Sequence, residues 1–202
     1  MHMMPDRAQA FVMKFAAEFI LPAFLLVSLA ALAQSQKQID TDRSALTVHV
    51  YKTGLFSAFA HNHEIRAAIQ NGSFNEDNPS VEFKVDSRTL KVLDVEASDS
   101  ERGTIQETML GSKVLDSERF PEIRFRSTGV HQMAEGKWAV NGDLTLHGQT
   151  HPIKVDVESQ AGRYRGSAEL HQKDFGITPV SVAGGSVKVK NEVRVEFEIV
   201  GK

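Results

Sequence analysis

The stretch Val187–Val200, VKVKNEVRVEFEIV, decides the fold. Val187, Val189, Asn191, Val193, Val195, Phe197 and Ile199 fall on one side of an extended chain. Lys188, Lys190, Glu192, Arg194, Glu196 and Glu198 fall on the other. Successive strand side chains point to opposite faces, so this segment buries one face of a sheet and wets the other. At about 3.3 Å per residue it reaches roughly 40 Å, long for a strand that merely fills a small core. Long one-sided strands in a domain of this size predict an antiparallel sheet rolled into a barrel with an apolar interior.

The same alternation recurs upstream. Ala45 to Lys52 places Leu46, Val48 and Val50 on one side. His61 to Ile69 keeps Ile65, Ala67 and Ile69 in phase, and Asn71-Gly72 reads as a turn after it. Val81, Phe83 and Val85 share a face, as do Ile123 and Phe125 within Glu122 to Val130. Trp138, Val140, Gly142, Leu144 and Leu146 share another; Ile153, Val155 and Val157 follow the turn at His147 to Thr150. Tyr164, Gly166, Ala168 and Leu170 follow Ala161-Gly162. Gly142, Gly166 and Ala168 on these inward faces either leave room inside the barrel or mark bends in coiled strands. Ser98 to Leu110 breaks the pattern: Ser98 or Ser100 caps a helix with Asp99 and Glu101 in its first turn and Gly111 at its end. The expected class is all-β, about eight antiparallel strands, with one amphipathic surface helix inserted. Gly54 to Phe59 is expected to form a helical turn over one end, Gln34 to Asp42 a mobile lead-in, and Asp174 to Gly185 an irregular loop.

The 202 residues fit one domain plus an appendage. Arg7 and Lys14 precede an uncharged run, Phe19 to Leu32, and Ala31-Leu32-Ala33 offers a small-x-small cleavage site. As a helix the run covers about 21 Å, short of the roughly 30 Å hydrocarbon core. Residues 1–33 are therefore expected to be a cleavable signal helix, the alternative being an uncleaved anchor, with Met13 as a second candidate start. The mature chain is then periplasmic or secreted and has no stable membrane span. The barrel domain is expected over residues 39–200.

No cysteine is present, which excludes disulfides, thiolate metal sites, iron–sulfur clusters, covalent haem, a thiol nucleophile and a lipoprotein anchor. The net charge of −3 lacks the basic footprint of a nucleic-acid binder. Histidines are the one catalytic-looking group. His61 and His63 stand two apart on a strand, a metal-ligand spacing that a third ligand from His147, His151 or Glu64 would complete. Hydrogen bonding of these imidazoles to loop backbone is the simpler reading. His61-Asn62-His63 is not the nuclease signature of that spelling, since no ββα setting accompanies it. HExxH, GxSxG and phosphate-cradling glycine loops are absent, so no enzyme activity and no cofactor are expected, the alternative being a metal-binding protein or an enzyme that uses the His61/His63 pair.

Three motifs together resemble the YceI-like family: Phe120-Pro121-Glu122-Ile123-Arg124-Phe125-Arg126-Ser127, Gly142-Asp143-Leu144-Thr145-Leu146-His147-Gly148 and Asp174-Phe175-Gly176-Ile177. The likeness runs from about Ile39 to Val200. It implies a bacterial, periplasmic or secreted, lipocalin-like barrel of eight strands around a long isoprenoid chain, a polyprenyl lipid or quinone tail. It transfers no catalytic residue. Two departures touch polar positions: Gln172 stands where the family often has arginine, and Arg43-Ser44 where it often has histidine-serine. The expected lining is Ile65, Phe83, Phe125, Trp138, Leu144, Leu146 and Phe197, with Phe56, Phe59 and Phe175 at an apolar rim. His61, His63 and His147 are the candidates for meeting a polar head group. The bulk of Phe83, Phe125, Trp138 and Phe197 leaves open a barrel filled by its own side chains.

Overall fold

The computed structural model describes residues 36–54 and 62–202. Residues 1–33 with their expected signal, most of the Gly54 to Phe59 turn, and Phe56, Phe59 and His61 lie outside the described residues. The described chain is all-β with one α-helix, and twelve strand segments join a single antiparallel sheet. In chain order they are β1 (Gln36–Gln38), β2 (Ala45–Thr53), β3 (His63–Ala67), β4 (Ile69–Asn75), β5 (Ser80–Asp86) and β6 (Lys91–Val92). Then come α1 (Asp99–Leu110), β7 (Glu122–Ala134), β8 (Lys137–Leu146), β9 (Gln149–Gln160), β10 (Arg163–His171), β11 (Ser181–Val182) and β12 (Val187–Val200).

The ladder runs β4-β5-β7-β8-β9-β10-β12-β2-β3. Its two ends are one piece of chain. β3 pairs with β2 and β4 pairs with β5, and Ala68 alone separates β3 from β4. Both run in the same direction, because each is antiparallel to its neighbour around an even ring. One passage from His63 to Asn75 therefore gives its first half to one edge of the sheet and its second half to the other. Counted this way the twelve segments make about eight passages, and the sheet curls into a barrel. The strand expected at His61 to Ile69 is the first part of this passage. Asn71-Gly72 is not its turn: both lie inside β4, opposite Lys84 and Phe83, and the turn falls at Glu76–Pro79. Gly72 is needed for closeness instead, since a Cβ there would stand 2.7 Å from Glu82 O, Ile39 Cδ1 and Phe83 Cβ.

Where the switching strand leaves a partner, short pieces fill in. β6 takes the second edge of β3, and β1 takes the second edge of β4. Ile39, 2% exposed, follows β1; its N–H donates to Gly72 O at 2.9 Å and it bridges to Gly201. The lead-in expected at Gln34 to Asp42 is thus partly strand, held by a buried isoleucine. Two hairpins need left-handed backbone. His147 (φ 51°) and Gly148 (φ 72°) join β8 to β9, and Ala161 (φ 51°) and Gly162 (φ 74°) join β9 to β10. Positive φ at both central positions is the turn whose twist matches the flanking strands.

The connection from β5 to β7 carries β6 and α1 across one end of the barrel, called here the helix end. Ser98 caps α1: its hydroxyl accepts from Glu101 N–H at 3.3 Å while the Glu101 carboxylate accepts from Ser98 N–H at 2.9 Å. Half of the α1 residues are exposed, and Met109 is its buried side chain. The segment expected to be irregular after Lys173 opens with a 3-10 turn at Gln172–Phe175 and returns through β11 onto β12.

The inward glycines do not leave empty space beside them. A Cβ on Gly142 would strike the Phe125 ring at 2.4 Å, and one on Gly166 would lie 2.3 Å from Asp156 O and 2.6 Å from Phe197 Cζ. Each glycine seats an aromatic ring from a neighbouring strand. Gly166→Ala should lower stability by about 1–3 kcal/mol, because the nearest obstruction is backbone that cannot swing aside. Denaturant unfolding checks this, and a loss below about 0.5 kcal/mol would contradict the packing described.

Candidate functional site: an apolar lumen with one polar end

Inward-facing side chains of all eight passages leave a cavity of about 310 Å³ along the barrel axis. Seven of the expected lining residues meet there: Ile65, Phe83, Phe125, Trp138, Leu144, Leu146 and Phe197. Their bulk does not close it. Val48, Val140, Val155, Ala168 and Val195 add to the walls, and Leu90, Met109, Val114 and Leu115 close over the helix end. From Trp138 to Leu146 the lining of β8 extends about 26 Å along the strand. Trp138 faces this space while its Nε1 donates to Ser159 Oγ at 3.4 Å.

Phe175 is not a rim residue. It is 2% exposed, packs edge-on against His151 at 5.3 Å between ring centres, and is absent from the lining. The reason is local. The 3-10 turn at Gln172–Phe175 folds its side chain under the sheet end, and Gly176 (φ 70°) turns the chain away. Gln172 from the same turn does reach the cavity, and its Nε2 donates to Lys190 O at 2.7 Å.

Neither described histidine of the expected head-group set borders the cavity. His147 sits at the left-handed corner of the β8–β9 hairpin, with Nδ1 3.0 Å from Phe175 O and its ring edge-on to Phe120. His63 Nδ1 lies 2.6 Å from Asp94 Oδ2. Asp94 was invisible to sequence reasoning, yet it ties the helix end together. Its side chain is 3% exposed, Oδ1 accepts from Glu64 N–H at 2.8 Å, and its carbonyl accepts from Arg102 of α1 at 2.6 Å. No periodic pattern announces such a residue. Among the described residues no three His, Asp or Glu side chains come together as a metal site.

Polar groups reach the cavity at the end opposite α1, where Asn75, Glu76, Ser80 and Tyr164 belong to the lining. The Tyr164 hydroxyl donates to Glu76 Oε1, and Lys37 Nζ donates to Glu76 Oε2 at 2.5 Å. Tyr164 packs edge-on to Phe74 at 5.1 Å. The Lys37 ammonium, then the Tyr164 hydroxyl, hold the Glu76 carboxyl below its ordinary value of 4.5. Burial first, and the hydrogen bond to Glu76 second, push the Tyr164 phenol upward.

An antiparallel barrel rolled around an apolar lumen defines the lipocalin-like class of fold. The sequence pattern of the YceI-like domain matches residues 37–201, and the chain belongs to that family. A UPF0312 protein of Vibrio cholerae is 33% identical over 127 residues, covering 58% of this chain and 61% of that protein. The chain thus spans about three-fifths of that relative's length. A UPF0312 protein of Shewanella denitrificans is 30% identical over 139 residues, covering 62% of this chain and 72% of its own. Among solved structures, Burkholderia cenocepacia BcnA superposes with a TM-score of 0.58 at 16% identity, over 81% of this chain and 99% of that one. That likeness concerns the fold. No helix among the described residues is long and apolar enough to cross a membrane.

Two expectations follow from these polar nodes. Asp94→Ala leaves the Glu64 N–H and His63 without their acceptor, so stability should drop by about 1–3 kcal/mol, readable by urea unfolding. An unchanged midpoint would show that Asp94 does not tie the helix end. Because the folded carboxyl of Glu76 is held low, its contribution is complete above its ordinary value of 4.5 and is lost as pH falls through the lowered one. Between about pH 5 and pH 3 the wild type should therefore lose stability faster than Glu76→Gln; parallel curves would refute the pairing.

Proposed function

We propose that this protein is a periplasmic or secreted carrier that holds one long apolar isoprenoid, a polyprenyl lipid or the tail of a quinone, inside its barrel. The observation that carries the reading is the continuous apolar lumen of about 310 Å³ running between the two ends of the sheet. Small-molecule sites are typically about 300–1,000 Å³, so the space lies at the lower end of that range. A slim, flexible hydrocarbon suits it better than a rigid polycycle. Each methylene brought in from water gains about 0.8 kcal/mol, so affinity accumulates along the chain without directional contacts. Selectivity for chain length then follows from the roughly 26 Å of lined strand. The reading assigns the barrel no chemistry: its wall supplies packing and one polar end.

Membership of the YceI-like family supports this, as does the run of residues 19–32 ahead of a small-x-small site. The His61/His63 metal alternative finds no support in the position of His63, whose Nδ1 is occupied by Asp94.

Protein purified gently from its native host should carry a lipid by native mass spectrometry, released on denaturation and identified as an isoprenoid. Ala168→Phe places a ring in the lumen, since Ala168 lines it from β10. That variant should stay folded and lose at least about tenfold in affinity for a C20 prenol, equivalent to 1.4 kcal/mol. Empty wild type under gentle conditions, or full binding by a folded Ala168→Phe, would overturn the carrier reading.

A further inference from the structure

The lumen is nearly free of charge. Among the described lining residues there is no lysine, arginine, histidine or aspartate, and Glu76 and Tyr164 are its ionisable members. Lys37 pairs with Glu76 from β1 and does not itself line the space. At the helix end the polar lining residue is Gln172, an uncharged amide.

The hydrogen-bonding sense of the Glu76–Tyr164 pair is equally definite. Tyr164 gives its one proton to Glu76. An ionised carboxylate accepts and never donates, and a phenol whose proton is committed keeps lone pairs to offer. Asn75 Oδ1 already accepts from the N–H groups of Asp77 and Asn78, each at 2.9 Å. The Glu76–Tyr164 pair therefore presents acceptors to whatever enters. A terminal hydroxyl can donate to that pair, whereas a phosphate brings acceptors and negative charge against a carboxylate. A quinone carbonyl also brings an acceptor.

Resting on the reading of the lumen as an isoprenoid site, we infer that the preferred ligand is the free alcohol form of a prenyl chain, its hydroxyl seated on the Glu76–Tyr164 pair, and that the phosphorylated form of the same chain is rejected there. The site thus selects by the state of the chain's polar end, while the hydrocarbon wall treats both forms alike. Glu76 acts as a specificity residue, and Tyr164 positions its carboxylate across the mouth.

Trp138 is the chain's single tryptophan and lies in the wall, so its fluorescence reports occupancy directly. The probes are geranylgeraniol, geranylgeranyl monophosphate and phytane, a C20 hydrocarbon without a polar end, each titrated below its aggregation limit at low ionic strength. The alcohol should bind more tightly than the monophosphate by up to about fivefold, the limit given by two unit charges about 4 Å apart in water before Lys37 offsets part of the repulsion. In Glu76→Gln, with secondary structure and unfolding midpoint checked, that ratio should fall toward one. Tyr164→Phe should bring the alcohol's affinity down toward that of phytane.

Equal or tighter binding of the monophosphate by the wild type would overturn the inference and leave the lumen reading standing. So would an alcohol that binds no better than phytane, or a short-chain quinone that binds better than the alcohol. Binding of none of the probes would remove both readings.

Discussion

A sheet that closes on itself must find a strand able to serve both of its edges. Here the passage from His63 to Asn75 does so, pairing with β2 before Ala68 and with β5 after it. An even number of antiparallel passages brings the two edges together in the right sense, and the shared strand covers part of the rows of N–H and C=O groups that free edges would expose. The cost falls at the switch point, where each half of the strand has one edge without a long neighbour. β1 and β6 are short because they have only those two notches to fill. Ile39 and Gly72 meet at one of them, and the absence of a Cβ on Gly72 lets the isoleucine in.

The hollow follows from the same wall. A barrel of about eight strands is narrow enough for its own side chains to fill, so a lumen needs large residues kept against the wall. Phe125 lies over Gly142 and Phe197 over Gly166, each ring occupying the space of a missing side chain on a neighbouring strand. Aromatic bulk is thereby seated on the sheet and does not reach across the axis. Beta-branched and small residues such as Val140, Val155 and Ala168 cover much of the remainder. At the helix end the lumen is roofed by the β5–β7 connection, which Asp94 fastens to the start of β3. At the other end the roof is a pair of hydrogen-bonded polar side chains, Glu76 and Tyr164.

Much of this architecture was legible from period-2 alternation, because burial of one face writes itself directly into the residue order. Each strand from β7 to β10 and β12 lies where its alternation put it. Ser98 and Glu101 announced the helix start through side-chain chemistry confined to four residues. What failed depended on contacts between distant residues. Asn71-Gly72 carries the letters of a hairpin turn, but its glycine answers to Ile39 and Phe83 packed against it. Phe175 looked like a rim aromatic because a non-periodic segment gives no hint of side-chain direction. The pairings of Asp94 with His63, Glu76 with Lys37 and Tyr164 with Glu76 left no signal because the partners lie 31, 39 and 88 residues apart in the chain. The inward set from Ile65 to Phe197 was readable as a wall; whether that wall enclosed space depended on how rings and glycines from different strands meet.

The central claim is that the lining residues surround space and do not interlock across it. Crystals of lipid-stripped protein under xenon pressure test this without reference to any biological ligand, since dry apolar cavities take up xenon. Ordered xenon atoms on the barrel axis between Trp138 and Leu146, with Phe125 and Phe197 still seated over their glycines, are the predicted result. An axis without xenon, where side chains from opposite walls touch, would contradict the account.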